Sequence, residues 1–155
     1  MELHKFGIRF RISNAPAKTL QEFIPVFHGW IQRQALPGHL LVDVHDYSHV
    51  PNGPGILLVA HEANLNVGET ERSLVYLRKQ PATLTETLQA ARAAAKLLTD
   101  EQGVKFATEQ FEIFVNDRLV SDSVAGLIAE ATAGQVTHQS GDARERLTFV
   151  VKSPL

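Results

Sequence analysis

Cysteine is absent from this 155-residue chain, and methionine and tryptophan occur once each. Without a thiol there is no disulfide framework, no thiolate metal site and no cysteine nucleophile. An excess of charge of one sign is missing too. Lys plus Arg number 15 against 17 Asp plus Glu, a formal −2, which argues against partners such as nucleic acid or an anionic membrane. No apolar run approaches the ~18 residues of a membrane-spanning helix; Gly55 to Ala60 is far too short. Met1-Glu2-Leu3-His4-Lys5 opens directly into a charged alternating segment, where a secretory signal needs an uninterrupted apolar stretch. The expectation is a cytoplasmic protein of bacterial type.

What is present suffices for one core. Eighteen Leu, 14 Val, seven Ile and eight Phe supply the heavy apolar side chains, and a chain of this length buries roughly two thirds of its unfolded surface. No repeat, low-complexity block or linker divides it, so residues 1–155 read as a single domain. Seven histidines are present, and five of them fall between His28 and His61.

Hydrophobic period assigns the elements. Phe6, Ile8, Phe10 and Ile12 alternate with basic residues as a half-buried strand. Thr19-Leu20-Gln21-Glu22 has capping-box spacing, and Pro25 implies a short turn before a main helix running to about Gln34. Leu40 to Tyr47 reads as a strand with Leu40, Val42 and Val44 on one face and Leu41, Asp43, His45 and Tyr47 on the other. Pro51 to Gly55 is a turn, and Ile56 to Ala63 completes a hairpin. Ser73 to Leu77 is a further strand. Thr83 to Glu86 opens a second helix, with Leu84, Leu88, Ala91, Ala95 and Leu98 on one face and Gly103 as its C-cap. Phe111 to Val115 is a strand, preceded by a short extension at Val104 to Ala107. Ser121-Asp122-Ser123 caps a third helix closed by Gly134, and Leu147 to Val151 is the last strand. The order β-α-β-β-β-α-β-α-β predicts an α+β fold: a mixed or antiparallel sheet of about six strands, about three helices mainly on one face, and a ferredoxin-like plait with additions as one candidate.

Candidate chemistry centres on the hairpin. Asp43, His45 and Tyr47 share a strand face, and an imidazole beside a carboxylate is the basic apparatus of general acid–base catalysis. His45, His49 and His61 together are candidate ligands for a divalent metal. A sheet covered on one face shows its other face to water, where the same residues are ordinary, and a one-residue slip of the hairpin decides whether His61 joins His45. His61-Glu62 begins like a metalloprotease motif, but Leu65 stands where the second His belongs. No phosphate loop, dinucleotide fingerprint or nucleophile elbow occurs. Arg72, Arg78 and Lys79 offer an anion site that neighbouring Glu69 and Glu71 counter.

Phe23-Ile24-Pro25-Val26-Phe27-His28-Gly29-Trp30-Ile31-Gln32, followed by Asp43-Val44-His45-Asp46-Tyr47-Ser48-His49-Val50 and Gly53-Pro54-Gly55-Ile56, resembles a family of uncharacterised bacterial proteins. The resemblance implies a bacterial cytoplasmic origin and no activity. Two functions are carried forward. The first is a ligand- or protein-binding or regulatory module that forms a homo-oligomer, with a small-molecule ligand as one kind of partner. The second is a metal-assisted or acid–base enzyme using the hairpin of residues 43–62. Neither defines a cofactor.

Overall fold

The computed structural model describes residues 2–3, 6–13, 20–50, 55–68, 73–80, 82–107, 111–115, 135–139 and 147–152. In chain order the elements are β1 (Glu2–Leu3), β2 (Phe6–Arg11), a 3-10 turn (Leu20–Glu22), α1 (Phe23–Arg33), β3 (Leu41–Tyr47), β4 (Gly55–Ala60), β5 (Ala63–Val67), β6 (Ser73–Arg78), β7 (Ala82–Thr83), α2 (Leu84–Gln102), β8 (Phe111–Val115), β9 (Gln135–Gln139) and β10 (Leu147–Lys152). Eight strands form one sheet in the order β3-β4-β5-β6-β2-β8-β10-β9, and β1 pairs with β7. Every pairing is antiparallel. The fold is therefore α+β, as the order of elements implies, with a wider sheet than the six strands expected. The third helix expected at Ser121 to Gly134 lies outside the described residues.

Two strands, β5 and β9, account for the difference in width. Residues 56–63 read as one apolar strand, but β4 ends at Ala60 and the chain turns at His61-Glu62 into β5. Ala63, Leu65 and Val67 are buried and Asn64 and Asn66 half-buried, an alternation as regular as that of β2. Gln135–Gln139 has too polar a sequence to announce a strand, yet it pairs along its length with β10.

Strand alternation builds the core. Ile8, Phe10, Ile56, Leu58, Leu65, Leu74, Tyr76, Phe111 and Ile113 form one apolar cluster with Phe23, Phe27 and Trp30 of α1 and Leu88, Ala91, Ala95 and Leu98 of α2. Both helices thus cover the same face. Burying the three aromatic side chains of α1 contributes about 1.5–3 kcal/mol each. The turn before α1 follows from Pro25, whose missing N–H is tolerated in the helix's first turn. Thr83 caps α2 by accepting the Glu86 N–H at 3.2 Å, and Gly103 ends it at φ 69°. Ile12 bridges to Phe106, which supplies the short extension before β8.

The face of β3 needs a correction. A bulge between Leu41 and Asp43 inserts Val42 opposite no residue of β4. The extra residue reverses the alternation, so Leu41 is buried while Leu40 and Val42 are exposed. Only Val44 keeps the inward orientation expected for Leu40, Val42 and Val44, and it packs against the core from a half-buried position.

Candidate functional site

β3 is an edge strand, and register fixes what its outer face carries. Asp43 pairs with Val59, His45 with Leu57 and Tyr47 with Gly55, whereas Val44 lies opposite Leu58 of the core. Asp43, His45 and Tyr47 therefore stand together on the face away from both helices. The His45 and Tyr47 rings lie 6.0 Å apart at 31°. His45 Nε2 is 3.6 Å from Asp43 Oδ2, an ion-pair distance when the imidazole is protonated and too long for a hydrogen bond. Both side chains are about half exposed, 47% for His45 and 58% for Asp43. Water screens such a pair, so its mutual attraction is weak.

The three histidines proposed as ligands do not converge. His61 sits in the β4–β5 turn and donates its N–H to the Leu40 carbonyl at 2.9 Å, beyond the start of β3. His45 is five residues along that strand, a separation of about 16 Å. His49 lies past the far end of β3, in the turn where Asp46 accepts both the backbone N–H and the hydroxyl of Ser48. These two bonds, hydroxyl first, hold the Asp46 carboxyl below its ordinary range. Among the described residues no group of three or more His, Asp or Glu could hold a metal ion. A shared site spanning residues 43–62 is not formed, because the hairpin register sets Leu57 opposite His45 and carries His61 on to Leu40, at the other end of β3.

A different cluster assembles at the end of the sheet beside the Leu36–Leu40 loop. Tyr76, on the buried face of β6, reaches His39, with the phenol oxygen 2.6 Å from Nε2. His39 Nδ1 is 2.9 Å from the Pro37 carbonyl. A carbonyl only accepts, so Nδ1 carries the proton and Nε2 accepts from the Tyr76 hydroxyl. Arg78 Nη1 donates to the same phenol oxygen at 3.2 Å, and Arg78 Nε donates to the Gln80 carbonyl at 3.0 Å. Burial raises the Tyr76 phenol above its ordinary range although Arg78 pulls the other way. The Glu62 carboxylate accepts the Leu40 N–H at 2.9 Å. Burial works against the Glu62 charge, but the Leu40 N–H, its own N–H and the nearby His39 and His61 outweigh it, and the carboxyl is held low.

Sequence reading placed His39 in a turn and offered Arg78 to an anion; it did not connect either to Tyr76. The only available signal was a tyrosine at a core position of β6, whose hydroxyl needs a partner. Both imidazole nitrogens of His39 are engaged and the phenol is buried, so the cluster fastens the loop to the sheet and offers no free base.

The outer face is closed over the middle of the sheet and open at its β3 end. Val75 and Ser73 of β6 are buried, and Leu57 and Val59 of β4 are half-buried. The large apolar side chains exposed among the described residues are Leu40 (57%), Val42 (57%), Tyr47 (37%) and Val50 (41%). All four fall in one eleven-residue stretch. No family model matches the chain, and a search of curated proteins finds no relative. Among the described residues no helix is long and apolar enough to cross a membrane.

Proposed function

We propose that this protein is a protein-binding module whose contact surface is β3 with its flanks, and that the partner is a second copy of the same chain. The observation that carries the reading is the confinement, among the described residues, of the exposed large apolar side chains (Leu40, Val42, Tyr47 and Val50) to that edge of the sheet. Single exposed apolar residues are ordinary, whereas a cluster on one edge strand costs solubility unless it is covered. Self-complementary charge supports a second copy as the cover. Asp43 and His45 project from the same face two residues apart, so a two-fold arrangement sets the acid of each copy against the base of the other. The half-exposed setting of the pair favours this role over acid–base catalysis, which needs a desolvated, enclosed group.

Sedimentation velocity over a wide concentration range tests the reading. The wild type is expected to pass from monomer to dimer, and Val42→Lys or Tyr47→Lys to shift the midpoint to at least about tenfold higher concentration, an interfacial loss of about 1.4 kcal/mol. A wild type that stays monomeric throughout, or variants that associate as it does, would overturn it.

A further inference from the structure

The free edge of β3 is held by side chains of its own chain. Because the Leu40 carbonyl accepts the His61 N–H, the alternation of an antiparallel ladder turns the N–H and C=O of Leu41 away from β4, toward the open edge. One residue takes both. Gln34 Oε1 accepts the Leu41 N–H at 3.0 Å, and Gln34 Nε2 donates to the Leu41 carbonyl at 3.0 Å. The amide stands where the backbone of a next strand would stand. Beyond the bulge the alternation turns Val44 outward as well, and its N–H is accepted by the Asp43 carboxylate at 2.8 Å. Gln34 does this from the C-cap of α1 at φ 48°, a left-handed conformation that glycine adopts at less cost. A helix C-cap alone calls for glycine; the amide is what glycine lacks.

We propose that the edge of β3 is a strand-addition site for β3 of a second copy, running antiparallel with Val44 facing Val44 at the two-fold axis, and that Gln34 is the plug that keeps it shut. This rests on the reading that the β3 surface binds a second copy. In that register Asp43 of each copy lies across from His45 of the other, a carboxylate opposite a ring N–H donor. A centre one residue earlier sets Asp43 against Asp43, a repulsive pair. The Val44 N–H, released by Asp43, pairs with the opposing Val44 carbonyl, and Gln34 yields Leu41 to solvent or to the incoming chain. Sheet edges are commonly guarded by bulges and charged residues. Here the bulge at Val42 shortens the stretch that can pair around Val44, so the two bonds Gln34 must give up at Leu41 weigh heavily against docking.

Gln34→Gly is the direct test, since glycine keeps the left-handed cap and removes the side chain, with its bonds to Leu41 and a 2.8 Å bond to the Ile31 carbonyl. Trp30 fluorescence confirms that it is folded. The expected result is self-association about tenfold tighter than wild type, corresponding to the two hydrogen bonds no longer broken on docking. Hydrogen exchange at the Leu41 amide should be faster than wild type in dilute Gln34→Gly, and the Val44 amide should become protected on association. The register is tested by charge exchange. Asp43→Lys and His45→Asp should each weaken the dimer, and the double variant should recover it. A wild-type dimer that Val42→Lys weakens but Gln34→Gly leaves unchanged overturns the plug and spares the binding reading. A monomeric wild type with a dimeric Gln34→Gly supports the plug and overturns the binding reading. Monomers throughout overturn both.

Discussion

A phenol carried on the buried face of a central strand must find partners for its hydroxyl, and Tyr76 finds two at the end of the sheet, His39 and Arg78. Replacing it with Phe leaves His39 Nε2 without its donor and Arg78 Nη1 without its acceptor. Tyr76→Phe is expected to destabilise the fold by about 1–3 kcal/mol, measured as a lowered midpoint in urea. Ionisation gives a second handle. The chain has two tyrosines, so in Tyr47→Phe the ultraviolet phenolate signal reports Tyr76 alone. It should titrate above its ordinary value of 10.0, since burial disfavours the phenolate. A titration at or below that value would contradict the buried hydroxyl.

At the scale of elements, the β3–β4–β5 meander depends on a close approach that only glycine permits. Gly55 begins β4 at φ 76°, and a Cβ there would stand 2.1 Å from the Val67 carbonyl oxygen. Neither backbone can yield without breaking the ladder between β4 and β5. Gly55→Ala should cost at least about 2–3 kcal/mol, the sum of left-handed strain and lost pairing. For comparison, Thr83→Ala removes one capping bond from α2 and should cost about 1 kcal/mol. Thermal melts of the two variants would rank them. The elements most legible in the sequence share one property: their pattern is local. The 3.6-residue period of Leu84 to Leu98 and the alternation of Phe6 to Phe10 need no distant partner to be read. The turn at His61-Glu62 was not legible, because the apolar run continues into Ala63 and the neighbours that end β4 are remote. Lys79 and Gln80 donate their N–H groups to the Glu62 carbonyl, and Leu40 bonds the Glu62 side chain.

For the whole molecule, Glu62 ties together Leu40 just before β3, the β4–β5 turn, and Lys79 and Gln80 just after β6. Its carboxyl is held below its ordinary value of 4.5, so the folded chain binds fewer protons there than the unfolded chain. Its contribution is complete above that pH and is lost as pH falls through the lower, folded value. Glu62→Gln should therefore be less stable than wild type near neutrality, with the difference narrowing in acid below about pH 4. Urea midpoints across pH 3–7 would check this, and a difference independent of pH would sink it. The exposed pair of Arg33 and Glu101 joins the C-terminal ends of α1 and α2, but as a solvent-facing contact it is worth at most about 1 kcal/mol.

Composition and local period by themselves determined an α+β chain with strands around Phe6 to Phe10, Leu40 to Tyr47 (observed from Leu41) and Phe111 to Val115, a helix from Thr83 to Gly103, and Asp43, His45 and Tyr47 on one strand face. These follow from the chain's own geometry, since side chains two apart on a regular stretch of strand point alike. Tertiary structure alone decided that β3 lies at the edge, that Val42 bulges out of register, that His61 meets Leu40 and not His45, and that Tyr76 meets His39 across 37 residues of sequence. Register, edge position and contact between remote residues are set by which strands pair and how closely they pack. That outcome is a free-energy balance over the whole sheet, which no short stretch of sequence contains.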